Sequence, residues 1–135
     1  MVVGVSGRYC AGKSEVSDML VESGYDRLNV DRLGHDALRE LREPVVAAFG
    51  EGVLTDGEVD RRKLGSIVFD DERARKRLEA IVHPEMRRRV EERAAAAGSL
   101  GERLVIDAAL LFYMELHRVC DLVIWVEIRV RGYVA

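Results

Sequence analysis

Eight residues near the amino terminus could do chemistry as a set: Gly7-Arg8-Tyr9-Cys10-Ala11-Gly12-Lys13-Ser14. They fit the spacing G-x-x-x-x-G-K-[ST] and follow the apolar run Val2-Val3-Gly4-Val5-Ser6. A buried strand that empties into such a loop, with a helix beginning at its far end, aims backbone N–H groups and the helix's positive end at one anion. Gly7 and Gly12 supply the backbone freedom the loop needs. Lys13 would then reach the β and γ phosphates of ATP, and the Ser14 hydroxyl would hold Mg²⁺. A chance match at an ordinary strand-to-helix turn is the competing reading. The order strand, loop, helix counts against it.

Two carboxylates could complete a phosphoryl-transfer site, which needs positioning, charge neutralisation and an oriented nucleophile more than covalent work. Asp31 follows a strand-like run and could accept the proton of an acceptor hydroxyl; capping the helix it opens is the plainer alternative. Asp107 ends the apolar run Leu104-Val105-Ile106, where a contact to Mg²⁺ or its water is the functional reading and a cap again the plain one. Cys10, beside Lys13 at a helix start, sits where thiol pKa values fall, so it should react faster than Cys120 and be protected by ATP.

These residues need a frame that places them on one rim. After the loop, Ser14 to Ser23 has helical spacing with Gly24 as its C-terminal cap, and Tyr25 to Val30 reads as a strand ending at Asp31. Leu33, Ala37, Leu38 and Leu41 set a helix from Asp31, and Pro44 precedes a short one through Phe49. Thr55-Asp56-Gly57-Glu58 is a turn by its chemistry. From Asp60 to Gly98 the pattern is helical but broken twice, at Asp70 or Asp71 and at His83-Pro84, where a third helix starts. Gly98 to Gly101 is a loop, Leu104 to Asp107 a strand, about Ala109 to Leu116 a short helix, and Asp121 to Val126 a further strand. Strands alternating with helices imply an α/β fold with a mostly parallel sheet covered on both faces, and a helical excursion over about 35–100. Ligands bind at the carboxyl ends of such strands, which brings Gly7, Asp31 and Asp107 to one rim.

The bulk properties fit this frame. The 135 residues suit one domain, half apolar and a third charged, as in a soluble globular protein. A net charge of −3 gives no electrostatic case for nucleic acid. No run approaches membrane-spanning length and the start lacks signal-peptide character, so a cytoplasmic location is expected. The two cysteines, Cys10 and Cys120, form no C-x-x-C or Cys/His cluster.

The ordered motifs resemble one family, the dephospho-CoA kinases. That family places Asp-x-Asp after the second strand, where Asn29-Val30-Asp31 stands here. Phe49-Gly50 follows, then Asp56-Gly57-Glu58-Val59-Asp60-Arg61 with Leu64, Ile67-Val68-Phe69, Leu78-Glu79-Ala80-Ile81-Val82-His83-Pro84, and Asp107-Ala108-Ala109-Leu110-Leu111-Phe112. The resemblance implies a P-loop nucleotide-kinase-like fold with a helical substrate-binding insertion. It also implies transfer of the ATP γ-phosphate to the ribose 3′-hydroxyl of dephospho-coenzyme A with Mg²⁺. Asp31 would be the base, and His35, Leu111 and Phe112 would meet the acceptor. Another P-loop kinase of small metabolites or nucleosides, or an ATP-binding remnant without turnover, is the alternative.

The departures are local until the end. Arg8 and Cys10 stand where the family usually has Gly, Asn29 replaces the first Asp, and Ala109 and Tyr113 replace Pro and Glu. The run Arg87-Arg88-Arg89 reads as a solvated helix face in preference to a phosphate site. After Val126 the family continues with a basic lid, a further strand and a closing helix, with which residues 127–135 cannot be aligned; Ile128 to Arg131 alternate like a strand extension. The expectation is a fold lacking the lid and last strand, with weak transfer and self-association through an unpaired edge of strand 121–126.

Overall fold

The structure, a computed structural model, describes residues 1–8 and 11–127. Tyr9, Cys10 and the strand extension read from Ile128 to Arg131 fall outside those residues. The chain forms two compact units, one of Met1–Asp31 with the chain from Val90 onward, the other of Arg32–Arg89.

The first unit is built on a parallel sheet. Its strands are β1 (Val2–Gly7), β2 (Asp26–Asn29), β5 (Leu104–Asp107) and β6 (Leu122–Val126), in the spatial order β2-β5-β1-β6. Parallel neighbours cannot be joined by tight turns, so helices carry the crossovers, beginning with α1 (Lys13–Glu22) between β1 and β2. Every residue of β5 is buried, as its unbroken apolar run requires of an inner strand. Val3, Val5 and Val105 form the core of one face, with Val16 and Leu20 of α1 packed on it beside Tyr25, Ile124 and Val126. On the other face a Cβ at Gly4 would lie 2.8 Å from Cys120 Sγ and 3.2 Å from Leu111, so only glycine lets these side chains approach. Asp121 ties β6 to β1: its carboxylate accepts from Val2 N at 2.7 Å, and its own N–H donates to Val2 O at 2.7 Å.

The second unit is mostly helical. It contains α3 (Arg42–Phe49), a two-stranded hairpin of β3 (Leu54–Thr55) and β4 (Glu58–Val59), and α4 (Arg61–Val68), and it shares α2 (Val30–Glu40) and α5 (Glu72–Leu100) with the flanking chain. Val45, Val53 and Leu64 are its largest fully buried apolar side chains. In the hairpin turn Asp56 and Gly57 have φ of 52° and 80°, the left-handed pair that suits a two-residue hairpin. Asp60 caps α4, accepting from Arg62 N at 2.9 Å and Lys63 N at 3.3 Å.

Four expectations change. The stretch expected as a loop from Gly98 to Gly101 is helical as far as Leu100, where α5 ends. Strand β2 stops at Asn29 and α2 already begins at Val30, so Asp31 lies inside the first turn of a helix and not between strand and helix. No break occurs at His83-Pro84: α5 runs unbroken for 29 residues with Pro84 inside it. An interior proline costs about 3 kcal/mol through its missing N–H and ring clash. Here the apolar positions continue across it, with Val82, Met86, Val90, Ala94 and Ala97 all buried, and their burial outweighs the local penalty. Finally, residues 109–115 make successive turns and only Leu116–Val119 closes a 3-10 turn, where a helix from about Ala109 to Leu116 was expected. The break before His83 of the other kind did occur: Asp71 accepts from Ala74 N at 3.1 Å and starts α5.

Candidate active site

Gly7 ends β1 in register with Val126 of β6, and a Cβ there would lie 2.4 Å from Val126 O. Gly12, at φ 91°, is the residue before α1 and occupies a left-handed conformation that a side chain would strain. These two glycines therefore set the path of the loop at its two ends. Lys13 and Ser14 are the first two residues of α1, where unpaired N–H groups and the helix dipole favour an anion. Ser6, buried at the end of β1, donates to Ala109 O at 3.2 Å and fixes the segment after β5 beside the loop.

The carboxyl ends of β2, β1 and β5 lie side by side, with Asp107 in register with Val5 on one side and Asn29 on the other. Asp107 is 3% exposed. Lys13 Nζ donates to its Oδ1, and Arg27 grips the other oxygen through Nη2 at 2.7 Å and Nε at 3.2 Å. Arg27 Nη1 also donates to Asp18 Oδ1 of α1 at 2.6 Å. Burial alone would push the Asp107 carboxyl up; the hydrogen bonds from Lys13 and Arg27 overcome it and hold the group below the usual carboxylate range. Arg27 is held above its ordinary value chiefly by its bond to Asp107.

Sequence reading missed Arg27. Its signal was an arginine in a strand, two residues before Asn29 and so on the same face as the strand-end polar residues. It stands next to the position where Asn29 replaces an expected carboxylate, and it brings positive charge to that rim. The loop residues Arg8, Ala11, Gly12, Lys13 and Ser14 are placed as one strand-to-helix connection, while Tyr9 and Cys10 lie outside the described residues. Cys120 is held by burial first, then by Asp121, at a thiol pKa of about 11, and its Sγ donates to Leu116 O at 3.4 Å. Such a thiol is inert at neutral pH.

Asp31 is exposed, and its carboxylate makes no side-chain hydrogen bond or ion pair among the described residues. Leu111 is fully buried beneath Gly4 and so acts as packing under the rim, whereas Phe112 is 48% exposed with its ring centroid 6.1 Å from that of Trp125 and 5.2 Å from that of His117. His35 belongs to the helical unit, where its Nε2 lies 2.5 Å from Arg61 Nη1. His83 has its pKa lowered by burial above all. Arg88 and Arg89 both bond to Glu85, as a surface network does.

A parallel sheet whose first strand feeds G-x-x-x-x-G-K-S into a helix, with a buried carboxylate on the adjoining strand end facing the loop lysine, defines the class of P-loop nucleotide-binding proteins. Within that class, residues 1–135 match the family model described as dephospho-CoA kinase, and the chain belongs to that family. It is 36% identical to the dephospho-CoA kinase of Borreliella burgdorferi, the match covering 92% of this chain and 60% of that one. It is 41% identical to that of Geobacillus kaustophilus, covering 94% and 67%. Among solved structures it superposes on TT1252 from Thermus thermophilus with a TM-score of 0.76 at 34% identity, covering 94% of this chain and 65% of that one. The chain thus spans about two thirds of the length of these relatives.

Proposed function

We propose that this chain carries out phosphoryl transfer from ATP to the ribose 3′-hydroxyl of dephospho-coenzyme A, the last step of coenzyme A synthesis. The observation that carries the reading is the placement of Lys13 at the loop-to-helix junction with its charge met by the Asp107 carboxylate, whose other oxygen Arg27 holds. The family supports the substrate.

The site's residues fit Mg²⁺ and ATP. Gly7, pressed against Val126 O, and Gly12, at its left-handed φ, set the path of the loop, and Ser14 and Asp107 offer the oxygen ligands a hard cation takes. ATP with Mg²⁺, when bound, supplies the γ-phosphoryl group and neutralises part of its charge. Lys13 would leave Asp107 for the phosphate oxygens, and Arg27 would stay behind to neutralise the buried carboxylate. That exchange keeps a cation on Asp107 at every stage. Asp31 takes the proton of the 3′-hydroxyl as its oxygen bonds to the γ phosphorus and the bond to the β-phosphate oxygen breaks, releasing ADP. The helical unit, with His35, is the substrate-binding insertion, and Phe112 offers an exposed ring to the acceptor.

A cytoplasmic location belongs to the same proposal; among the described residues no helix is long and apolar enough to cross a membrane. Self-association through β6 does too, resting on Leu122 and Trp125 being 54% and 48% exposed on the strand that is outermost among the described residues. Sedimentation of a stable monomer would remove that part. The reaction itself is tested by a coupled assay with dephospho-coenzyme A, nucleosides and small metabolites as acceptors, run beside an ATP titration. Turnover that is highest with dephospho-coenzyme A supports the reading; transfer to another acceptor instead, or ATP binding without transfer to any, overturns it.

A further inference from the structure

The phosphate loop carries two cations, and each is held on a carboxylate at the end of a strand beside β1. Lys13, at the helix end of the loop, lies on Asp107 at the end of β5. Arg8, at the strand end, lies on Glu127, the residue after β6, with its Nε 3.6 Å from Oε1. Strands β5 and β6 pair with β1 on its two sides, so the two cations are drawn to opposite flanks of that strand. The Arg8 carbonyl accepts from Ala11 N at 3.0 Å, which fixes its backbone in the loop, while its side chain is 78% exposed. The two pairs differ in what holds them. Asp107 is 2% exposed and takes hydrogen bonds from both Lys13 and Arg27. The Arg8 pair is too long for a hydrogen bond, Glu127 is 52% exposed, and its Oε1 already accepts from Trp125 Nε1 at 2.9 Å. Exposed pairs of this kind are worth little. Arg8 makes no side-chain hydrogen bond among the described residues, so its N–H groups are open to a better acceptor.

We infer that Arg8 is a second phosphate-binding cation of the loop, which leaves Glu127 when a nucleotide polyphosphate enters and donates to its oxygens. The inference rests on the proposed use of ATP at this loop. The phosphates offer several charges where Glu127 offers one, and the planar fork of arginine matches paired phosphate oxygens. Departure costs little on the other side, because Glu127 keeps its contact with water and its bond from Trp125. Asp107 could not be left in that way: buried, it needs Arg27 once Lys13 moves. The exposed pair is thus the one built to open completely, and the buried one is built to exchange. Arg8 stands where the family usually has glycine, so this contact is a property of the present chain.

Equilibrium binding tests this without turnover, with ATP and Mg²⁺, inorganic tripolyphosphate and adenosine as probes. They are titrated against the parent chain, Arg8→Met, Glu127→Gln and the double variant, each checked for native circular dichroism and melting. Arg8→Met should weaken ATP and tripolyphosphate about tenfold or more, as loss of a hydrogen bond between charged groups does, and leave adenosine unmoved. Glu127→Gln, which frees Arg8, should tighten ATP by up to about fivefold. The loss on Arg8→Met should persist in the Glu127→Gln background. A loss that vanishes there would mean that Arg8 only offsets the charge of Glu127, and would overturn the inference. Trp125, the chain's one tryptophan, shares Glu127 Oε1 with Arg8, so ATP should shift its fluorescence emission in the parent and not in Arg8→Met. Equal ATP affinity in the parent and Arg8→Met, with transfer to dephospho-coenzyme A intact, would overturn the role of Arg8 while the proposed reaction stands. An Arg8-dependent gain in affinity in a chain that transfers to no acceptor would uphold that role while the reaction fails.

Discussion

Both units hold clusters of arginine and carboxylate, and the two clusters differ in one variable, burial. In the sheet unit Lys13, Arg27 and Asp107 meet on a carboxylate that is 2% exposed. In the helical unit Arg88, Arg89, Glu85 and Glu40 meet at the surface, where Arg88 and Glu40 are 58% and 68% exposed. The same residue types therefore carry different weight. Water and salt screen the surface network, so each pair contributes little. The buried carboxylate has lost its water and depends on both cations, and it in turn fixes where the loop lysine points. A parallel sheet makes this possible because strand ends converge on one rim with their side chains in register, whereas a helix surface offers neighbours only at intervals of three and four.

The sharpest way to break this comparison is to delete the buried partner. Asp107→Leu leaves Lys13 and Arg27 without their counter-charge and should cost about 3–5 kcal/mol by urea denaturation at neutral pH. Because the Asp107 carboxyl is held below its ordinary range, its contribution is present above that range and is lost as pH falls through the depressed value. The variant should accordingly lose part of the acid-side slope of the stability curve. A loss no greater than that of a surface charge would show that the cluster is solvated after all.

Lys13→Ala should next leave the fold standing while lowering kcat/KM for ATP by about 10²–10³-fold, as removal of a preorganised charge at a reacting centre does. Unchanged ATP affinity and turnover would remove the loop as the nucleotide site. Asp31→Asn should follow, with ATP binding kept and transfer reduced about 10²-fold or more. Its melting temperature should hold, since the Asp31 carboxylate makes no side-chain hydrogen bond or ion pair among the described residues. Retained transfer with lowered stability would make Asp31 a helix-start residue only.

The loop, the four parallel strands and the rim were legible because each rests on local pattern: an apolar run, a glycine pair, a lysine and serine at fixed spacing. Asp107 was legible as the last residue of a buried run. Arg27 was not, because its role depends on β2 lying against β5, eighty residues away in sequence, and no local spacing encodes that pairing. The unbroken α5 was hidden for a related reason: Pro84 is a local stop signal, while the burial of Met86 and Val90 that overrides it is tertiary. Leu111 was read beside Phe112 as one contact segment, yet adjacent residues face opposite ways, one into the Gly4 gap and one to solvent. The arginines at 32, 39 and 61 come from two sequence segments, α2 and the start of α4, and only the fold gathers them.

The smallest expected effect tests the other half of the comparison. Arg88 bonds Glu85 at 2.7 and 3.0 Å and Arg89 bonds it at 2.9 Å, and these hydrogen bonds hold the Glu85 carboxyl down at about 2. By geometry the group rivals Asp107. It differs in that Glu85 itself is 23% exposed against 2% for Asp107, that its partners sit on its own helix at spacings of three and four, and that Arg89 has a second carboxylate in Glu40 to turn to. Its contribution is present at neutral pH and fades as pH falls from the ordinary carboxylate range toward about 2. Glu85→Gln should therefore move the melting temperature only slightly, and the difference should shrink further in high salt as screening weakens the pair. Titration of the parent chain by carboxyl NMR should still find Glu85 ionised well below its usual range, because a depressed pKa reports the bonds made to the charged form and not their net worth to folding. A salt-independent loss as large as that of Asp107→Leu would mean that hydrogen-bond geometry, and not burial, sets the weight of a charge cluster in this chain.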